Sequence, residues 1–272
     1  MKLKNLGGKL IIKPGTKINL SDCDPEDTAE VKCKEEALAI VEGNRLKLEA
    51  LQALLYAEKK HSLLIVLQGM DASGKDGTIR HVMNGINPQG CAVTSFKAPS
   101  AEDLEHDFLW RMHKAVPPRG DIGIFNRSHD EDVLIVRVHN LVAREVWSGR
   151  YEQINRFEQF LSENQVKILK FFLHVGKDEQ KKRLQDRLAD PAKNWKMSLQ
   201  DLKEREFWNA YKSAYEEALT KCSTAWAPWY IIPANKKWYR NLAVSQIIIE
   251  TLESFKMNYP TLDYDPRRIV VK

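Results

Sequence analysis

Gly69 and Gly74, with Lys75 directly after the second, have the clearest chemical spacing in this 272-residue chain. They frame the stretch Gly69-Met70-Asp71-Ala72-Ser73-Gly74-Lys75-Asp76-Gly77-Thr78, which follows the apolar run Leu63-Leu64-Ile65-Val66-Leu67. A buried strand feeding a glycine loop that ends in Gly-Lys, with a helix-compatible stretch beyond, is a cradle for phosphate. Backbone N–H groups from Gly69, Ala72, Ser73, Gly74, Gly77 and Thr78 can turn toward an anion, and Lys75 adds a mobile positive charge. One standard part is missing. Loops of this kind usually place Ser or Thr after the lysine to hold magnesium, whereas Asp76 stands there in this chain and Asp71 adds a second carboxylate inside the loop. Magnesium takes hard oxygen ligands and keeps several waters, so Asp71 is the expected metal residue. Asp76 could join it, or could simply place negative charge at a helix start, where the macrodipole favours it.

Two further constellations suit the same chemistry. After the apolar run Ile122-Gly123-Ile124-Phe125 the chain reads Asn126-Arg127-Ser128-His129-Asp130-Glu131-Asp132. The carboxyl end of a parallel strand is where open α/β sheets collect ligands. Arg127 can brace phosphate oxygens with its planar fork, and one of Asp130, Glu131 and Asp132 could be the second acid. The competing reading gives all three acids to the start of a helix. Farther on, Arg183 and Arg187 are four apart in Gln180-Lys181-Lys182-Arg183-Leu184-Gln185-Asp186-Arg187, with Lys193 and Lys196 beyond. They share a helix face and could approach phosphates together, as in a lid that closes over a reaction. Leu184 and Leu188 are the expected anchors of that helix.

The elements that must position these residues follow from periodicity. Strands are expected at 63–67, 92–96, 121–125, 166–175 and 229–232. Helices are expected at about 28–60, 74–84, 101–115, 129–143, 150–163, 178–188, 198–222 and 237–257. Ser100 with Asp103 reads as a capping box, and Asp190-Pro191 separates two helices of the basic region. Alternating strands and helices imply a three-layer α/β domain with a parallel sheet covered on both faces. Residues 1–27 read as an irregular arm, about 177–205 as the lid region, and 1–272 as a single domain. The tryptophans of the last third, Trp195, Trp208, Trp226, Trp229 and Trp238, are expected to pack the helical lobe on the sheet.

Composition bounds the class. A hydrophobic fraction of 43% and a charged fraction of 29% are those of an ordinary globular protein, and no apolar run reaches membrane-helix length. The cysteines Cys23, Cys33, Cys91 and Cys222 have no C-x-x-C spacing, which suggests neither zinc nor a disulfide framework and makes a cytoplasmic location the default. Net charge is +5. Residues 167–205 hold eleven Lys and Arg against six Asp and Glu, an excess that suits an anionic partner longer than one phosphate.

The same residues closely resemble the family-2 polyphosphate kinases over roughly residues 30–260. The markers are Gly69 to Thr78, Phe96-Lys97-Ala98-Pro99-Ser100, Phe125-Asn126-Arg127-Ser128, the Glu179 to Arg187 helix, Asp190-Pro191 to Trp195-Lys196, and Ala227-Pro228-Trp229. The resemblance implies a thymidylate-kinase-like P-loop kinase fold with a helical lid. It also implies transfer of the terminal phosphoryl group of inorganic polyphosphate to ADP, and to AMP, with Mg²⁺ or Mn²⁺. Carried over residue by residue, Asp71 is the loop metal residue, Lys75 the phosphate lysine, and Arg183 and Arg187 the lid arginines; Arg80 and Lys97 line the polyphosphate path. Many members have Asp where this chain has Asn126, and the Phe-Asn-Arg-Ser form resembles the class III members, which phosphorylate both AMP and ADP. Asn126 carries no charge, the nearby Glu131-Asp132 pair could compensate, and Asp132 is the expected second metal ligand. The expected partners are polyphosphate and adenine or guanine nucleotides, in a homodimer or homotetramer, with neither nucleic acid nor membrane. An ATP-dependent nucleoside monophosphate kinase and a non-catalytic P-loop module that grips nucleic acid are the alternatives.

Overall fold

The apolar runs become strands because parallel strands in a covered sheet need apolar side chains on both faces. The computed structural model describes residues 6–29, 31–269 and 271. Its strands are β1 (Ser62–Gln68), β2 (Cys91–Ser95), β3 (Ile122–Asn126), β4 (Val166–His174) and β5 (Trp229–Pro233). They form one sheet in the order β2-β3-β1-β4-β5, with every pairing parallel. All of β1 is buried. Its alternate residues feed two separate cores, Leu64 and Val66 on one face and Leu63, Ile65 and Leu67 on the other.

The helices are α1 (Leu6–Leu10), α2 (Lys34–Glu58), α3 (Lys75–Val82), α4 (Ala101–Leu104), α5 (Trp110–Lys114), α6 (Ile135–Val138), α7 (Arg144–Glu163), α8 (Lys177–Ala189), α9 (Leu199–Glu206), α10 (Trp208–Lys221) and α11 (Lys237–Ser254). Helices α2 and α11 cover one face through Leu48, Leu55, Ile247 and Ile248. Helices α7 and α10 cover the other through Ile154, Leu161, Ala214 and Ala218. Fully burying each of the leucines and isoleucines contributes about 1.5–3 kcal/mol. The result is the expected three-layer α/β architecture.

Strand order fixes where ligands can bind. From β1 the chain moves out to β2, returns to β3 beside β1, and then crosses to β4 on β1's other side. The carboxyl ends of β1 and β3 therefore flank the switch point where open α/β sheets form their crevice. Register puts Leu67 of β1 opposite Asn126 of β3.

Several segments differ from the sequence expectation. The Ser100–Asp103 capping box forms, yet its helix ends at Leu104. Asp107 Oδ1 accepts the Leu109 N–H at 2.9 Å, a local bond that competes with helix continuation. The stretch 129–143 is a 3₁₀ turn (His129–Val133) followed by the short α6, because the Ser128 side chain accepts the Asp130 N–H and tightens the start. Helix α7 begins at Arg144, earlier than expected. The stretch 198–222 is two helices that meet at Phe207. The arm 1–27 is not wholly irregular: α1 packs Leu6 into the α11 core, and Ile11 bridges Tyr230. Residues 1–5 lie outside the described ones. Leu184 is buried as expected, whereas Leu188 and Trp195 are exposed. Among the described residues, no helix is long and apolar enough to cross a membrane, and the four cysteines are free.

Candidate active site

The loop after β1 bends as an anion cradle must. Gly69 and Gly74 take φ values of 151° and 105°, and Ala72 takes 57°. These left-handed conformations favour glycine. A Cβ on Gly74 would lie 1.9 Å from Arg240 Nη1, so close approach demands glycine there as much as backbone angle does. Helix α3 starts at Lys75 with Asp76 in its first turn, and its N-terminus opens into a cleft of about 810 Å³. That volume suits a small-molecule or cofactor site.

Lys75 curls over its own loop, with Nζ donating to Gly69 O at 2.8 Å. Burial pushes its ammonium below the ordinary pKa, while Asp71 pulls it back up. Arg127, at φ 63° just past β3, pairs with Asp71 at 3.2 Å. Burial works against the Arg127 guanidinium, but Glu131 and Asp71 outweigh it and hold its pKa above the ordinary value. Asn126 Nδ2 donates to Asp76 Oδ1 at 2.8 Å, tying the end of β3 to the start of α3.

Most of the expected residues share this cleft. Asp71, Ala72, Gly74, Lys75, Asp76, Gly77, Arg80, Lys97, Asn126, Arg127, Arg183, Arg187 and Lys193 line it. Gly69 shapes the loop from behind. Ser73 and Thr78 are buried, and Thr78 Oγ1 donates to Gly74 O at 3.1 Å.

Two expectations meet a different geometry. Neither Asp132 nor Glu131 lines the cleft; the Asp132 carboxylate accepts from Arg150 at 2.7 Å, and Arg150 lies over the Phe108 ring. The acid that interacts with Lys75, Arg127 and Asp71 is Glu131, whose pKa burial pushes up against the pull of Arg127 and Lys75. The arginines Arg183 and Arg187 share a helix face but do different things. A guanidinium has five N–H donors, and Arg183 directs Nε to Glu179, Nη1 to Ala72 O and Ser73 O, and Nη2 to Ala234 O and Asn235 O. With its donors committed, Arg183 clamps the glycine loop to α8 and to the β5–α11 turn. Among the described residues Arg187 pairs only with Asp201, at 3.4 Å, and Lys193 pairs with Asp190.

Gln180 and Arg205 tie the lid region to the loop. Gln180 Nε2 donates to Asp71 O at 2.9 Å, and Arg205 Nη1 donates to Gln180 Oε1 at 2.6 Å.

Sequence reasoning also missed Lys237 and Arg240 of α11, which line the cleft opposite β3. Arg240 is 2% exposed. Burial, with Arg183 nearby, pushes its guanidinium down to about 9, and among the described residues no carboxylate pairs with it. Lys237 is lowered by burial and by Arg183 and Arg240. The available signal was positional: α11 follows the carboxyl end of β5, on the ligand side of the sheet.

The sequence profile of the family described as Polyphosphate kinase 2 matches residues 32–260. The chain is 50% identical over 265 residues to an AMP/ADP-polyphosphate phosphotransferase of Meiothermus ruber, covering 97% of this chain and 99% of that protein. It is 47% identical over 258 residues to an ADP-polyphosphate phosphotransferase of Rhodopseudomonas palustris, covering 90% and 89% of the two chains. The crystal structure of polyphosphate kinase 2 from Arthrobacter aurescens TC1 superposes with a TM-score of 0.94 at 42% identity, covering 97% of this chain and 94% of that one.

Proposed function

The chain belongs to the polyphosphate kinase 2 family, and on that premise we propose that it transfers the terminal phosphoryl group of inorganic polyphosphate to ADP, and also to AMP. The observation that carries this reading is the charge of the cleft, which nine lysine and arginine side chains line against four carboxylates. One nucleotide does not need so many cations; two polyanions meeting end to end do. Phosphoryl transfer asks a protein mainly to position its reactants and to offset charge on the moving group.

In this reading the loop amides and Lys75 hold phosphate oxygens, and Arg127 braces the group in transit. Arg187, Arg240 and Lys237 line the approach, while Arg183 keeps the loop in shape. Asp71 offers a hard carboxylate oxygen at the cleft wall, and Glu131, rather than Asp132, is the second acid beside it. That donor set fits Mg²⁺ or Mn²⁺, ions bound through one or two carboxylates plus substrate phosphates. Held by Asp71 and Glu131, such an ion would supply Lewis-acid stabilisation of negative charge on the phosphoryl group. A cytoplasmic homodimer or homotetramer completes the proposal.

Nucleotide profiling tests it. Incubation of AMP, ADP, GMP and GDP in turn with polyphosphate as sole donor should yield ATP from ADP, and ADP followed by ATP from AMP. Transfer from ATP to AMP with no use of polyphosphate would contradict the proposal and favour an ordinary nucleoside monophosphate kinase.

A further inference from the structure

Beneath the loop that follows β3 lies a group of charged side chains to which the proposed reaction gives no task. His129 and Asp130 come from the 3₁₀ turn, Glu158 from α7 and Lys170 from β4, and each is 0% exposed. Lys170 Nζ donates to Glu158 Oε2 at 2.6 Å and to Cys222 O at 2.7 Å. The other Glu158 oxygen lies 2.9 Å from His129 Nε2, which is 3.8 Å from Asp130 Oδ2. Asp130 Oδ2 accepts from Ser128 Oγ at 2.8 Å, and Ser128 Oγ accepts from Gln68 Nε2 at 3.2 Å. The links run without a break from α7 and β4 to the end of β1.

His129, Asp130 and Glu158 bring ligand atoms within 4.8 Å of one another, close enough for a metal ion. Lys170 argues against that use, because its ammonium already supplies a cation to the same Glu158 carboxylate. Burial opposes a charge on His129, but Asp130 and Glu158 outweigh burial and hold its pKa above the ordinary value. Two acids thus face two bases, and the group is close to neutral without a metal.

Stability does not explain the group. Removing each ion from water costs several kcal/mol, and well-packed apolar residues often serve the fold equally well. What the group does reach is the segment that holds Arg127 and Glu131. Arg127 sits at φ 63°, a conformation that Cβ sterics disfavour and that has to be held by its surroundings.

We propose that the buried His129–Asp130–Glu158–Lys170 group is a positioning device, which holds the 126–131 segment so that Arg127 and Glu131 face Lys75 and Asp71. The proposal rests on the phosphotransferase reading for its kinetic consequence, but not for its structural one.

The test is the charge-balanced double variant Glu158→Gln/Lys170→Met. It should fold, with a Tm near that of the parent, while kcat for ADP phosphorylation falls at least tenfold and the KM for ADP changes less than threefold. Amide exchange reads the same device without activity. The Arg127 and Glu131 N–H groups donate to Leu67 O at 3.0 Å and Ser128 O at 3.1 Å, and both should exchange at least tenfold faster in the variant. Ser128→Ala, which cuts the links to Gln68 and Asp130 and the cap on the Asp130 N–H but leaves Glu158 and Lys170 paired, should give the same pattern and serves if the double variant does not fold.

Unchanged exchange at Arg127 and Glu131 overturns the proposal, as does a kcat within twofold of an active parent. An inactive parent would refute the assigned reaction alone and leave the exchange result to decide. Elemental analysis finding one equivalent of metal, lost on His129→Gln, would make the group a metal centre and also overturn the proposal.

Discussion

Arg240→Met should change stability little and lower activity. Arg240 Nη1 donates to Ser73 O at 3.2 Å, and Nε and Nη2 donate to Asn241 Oδ1 at 3.2 and 2.9 Å, with no carboxylate partner among the described residues. Burial and Arg183 hold its guanidinium down at about 9, and at about 1.4 kcal/mol per pKa unit keeping it charged costs the fold roughly 5 kcal/mol. The three hydrogen bonds return about 1.5–2 kcal/mol each. Cost and return nearly cancel, so a methionine should leave stability within about 1 kcal/mol, or Tm within roughly 4 °C for a chain of this size. If the charge is there to meet a phosphate, its loss should lower kcat/KM for polyphosphate about 10- to 100-fold, the equivalent of one charged hydrogen bond. Thermal melts with and without tripolyphosphate, followed by initial rates, read both effects, and the ligand-induced Tm rise should shrink in the variant. A Tm that falls well beyond that range, together with an unchanged kcat/KM, would show that Arg240 is a strut for Gly74 and would refute this reasoning.

Glu131→Gln should lower kcat about 100-fold and weaken the Mg²⁺ dependence of the rate. Asp132→Asn should leave kcat within threefold while costing about 1–3 kcal/mol of stability through Arg150; rates across a magnesium series and urea melts separate the two. Arg187→Ala should raise the KM for polyphosphate about tenfold at nearly constant Tm. Arg183→Lys cannot rebuild a five-donor clamp and should cost about 3 kcal/mol or more of stability, measured by thermal melt, before any kinetic effect is read.

The sheet was legible in the sequence because parallel strands must be apolar on both faces, and the runs at 63–67 and 166–175 stand out from a charged background. The glycine loop was legible for a different reason: its backbone angles and the approach of Arg240 leave no choice at Gly74. Broken helices were harder to read. Asp107 and Ser128 each spend a side chain on a nearby N–H, and hydrophobic period does not register a competing local bond. The different surroundings of Asp130, Glu131 and Asp132 were hidden for a related reason. In a tight 3₁₀ turn successive side chains point apart, so Asp130 enters the buried charge group, Glu131 interacts electrostatically with Arg127 and Lys75, and Asp132 meets Arg150. Arg183 was correctly placed on the face with Arg187, but which arginine has donors to spare depends on carbonyls 51 and 111 positions away. Arg240 carries no motif, since Lys-Trp-Tyr-Arg reads as any helix start.

The central claim is that polyphosphate is the phosphoryl donor, and ATP formation from ADP and polyphosphate with no ATP supplied tests it most directly. The account predicts steady ATP production by the parent protein, dependent on Mg²⁺ or Mn²⁺, and nearly abolished in a folded Lys75→Ala variant. No ATP from the parent, or a Lys75→Ala variant within a few-fold of it, would contradict the account.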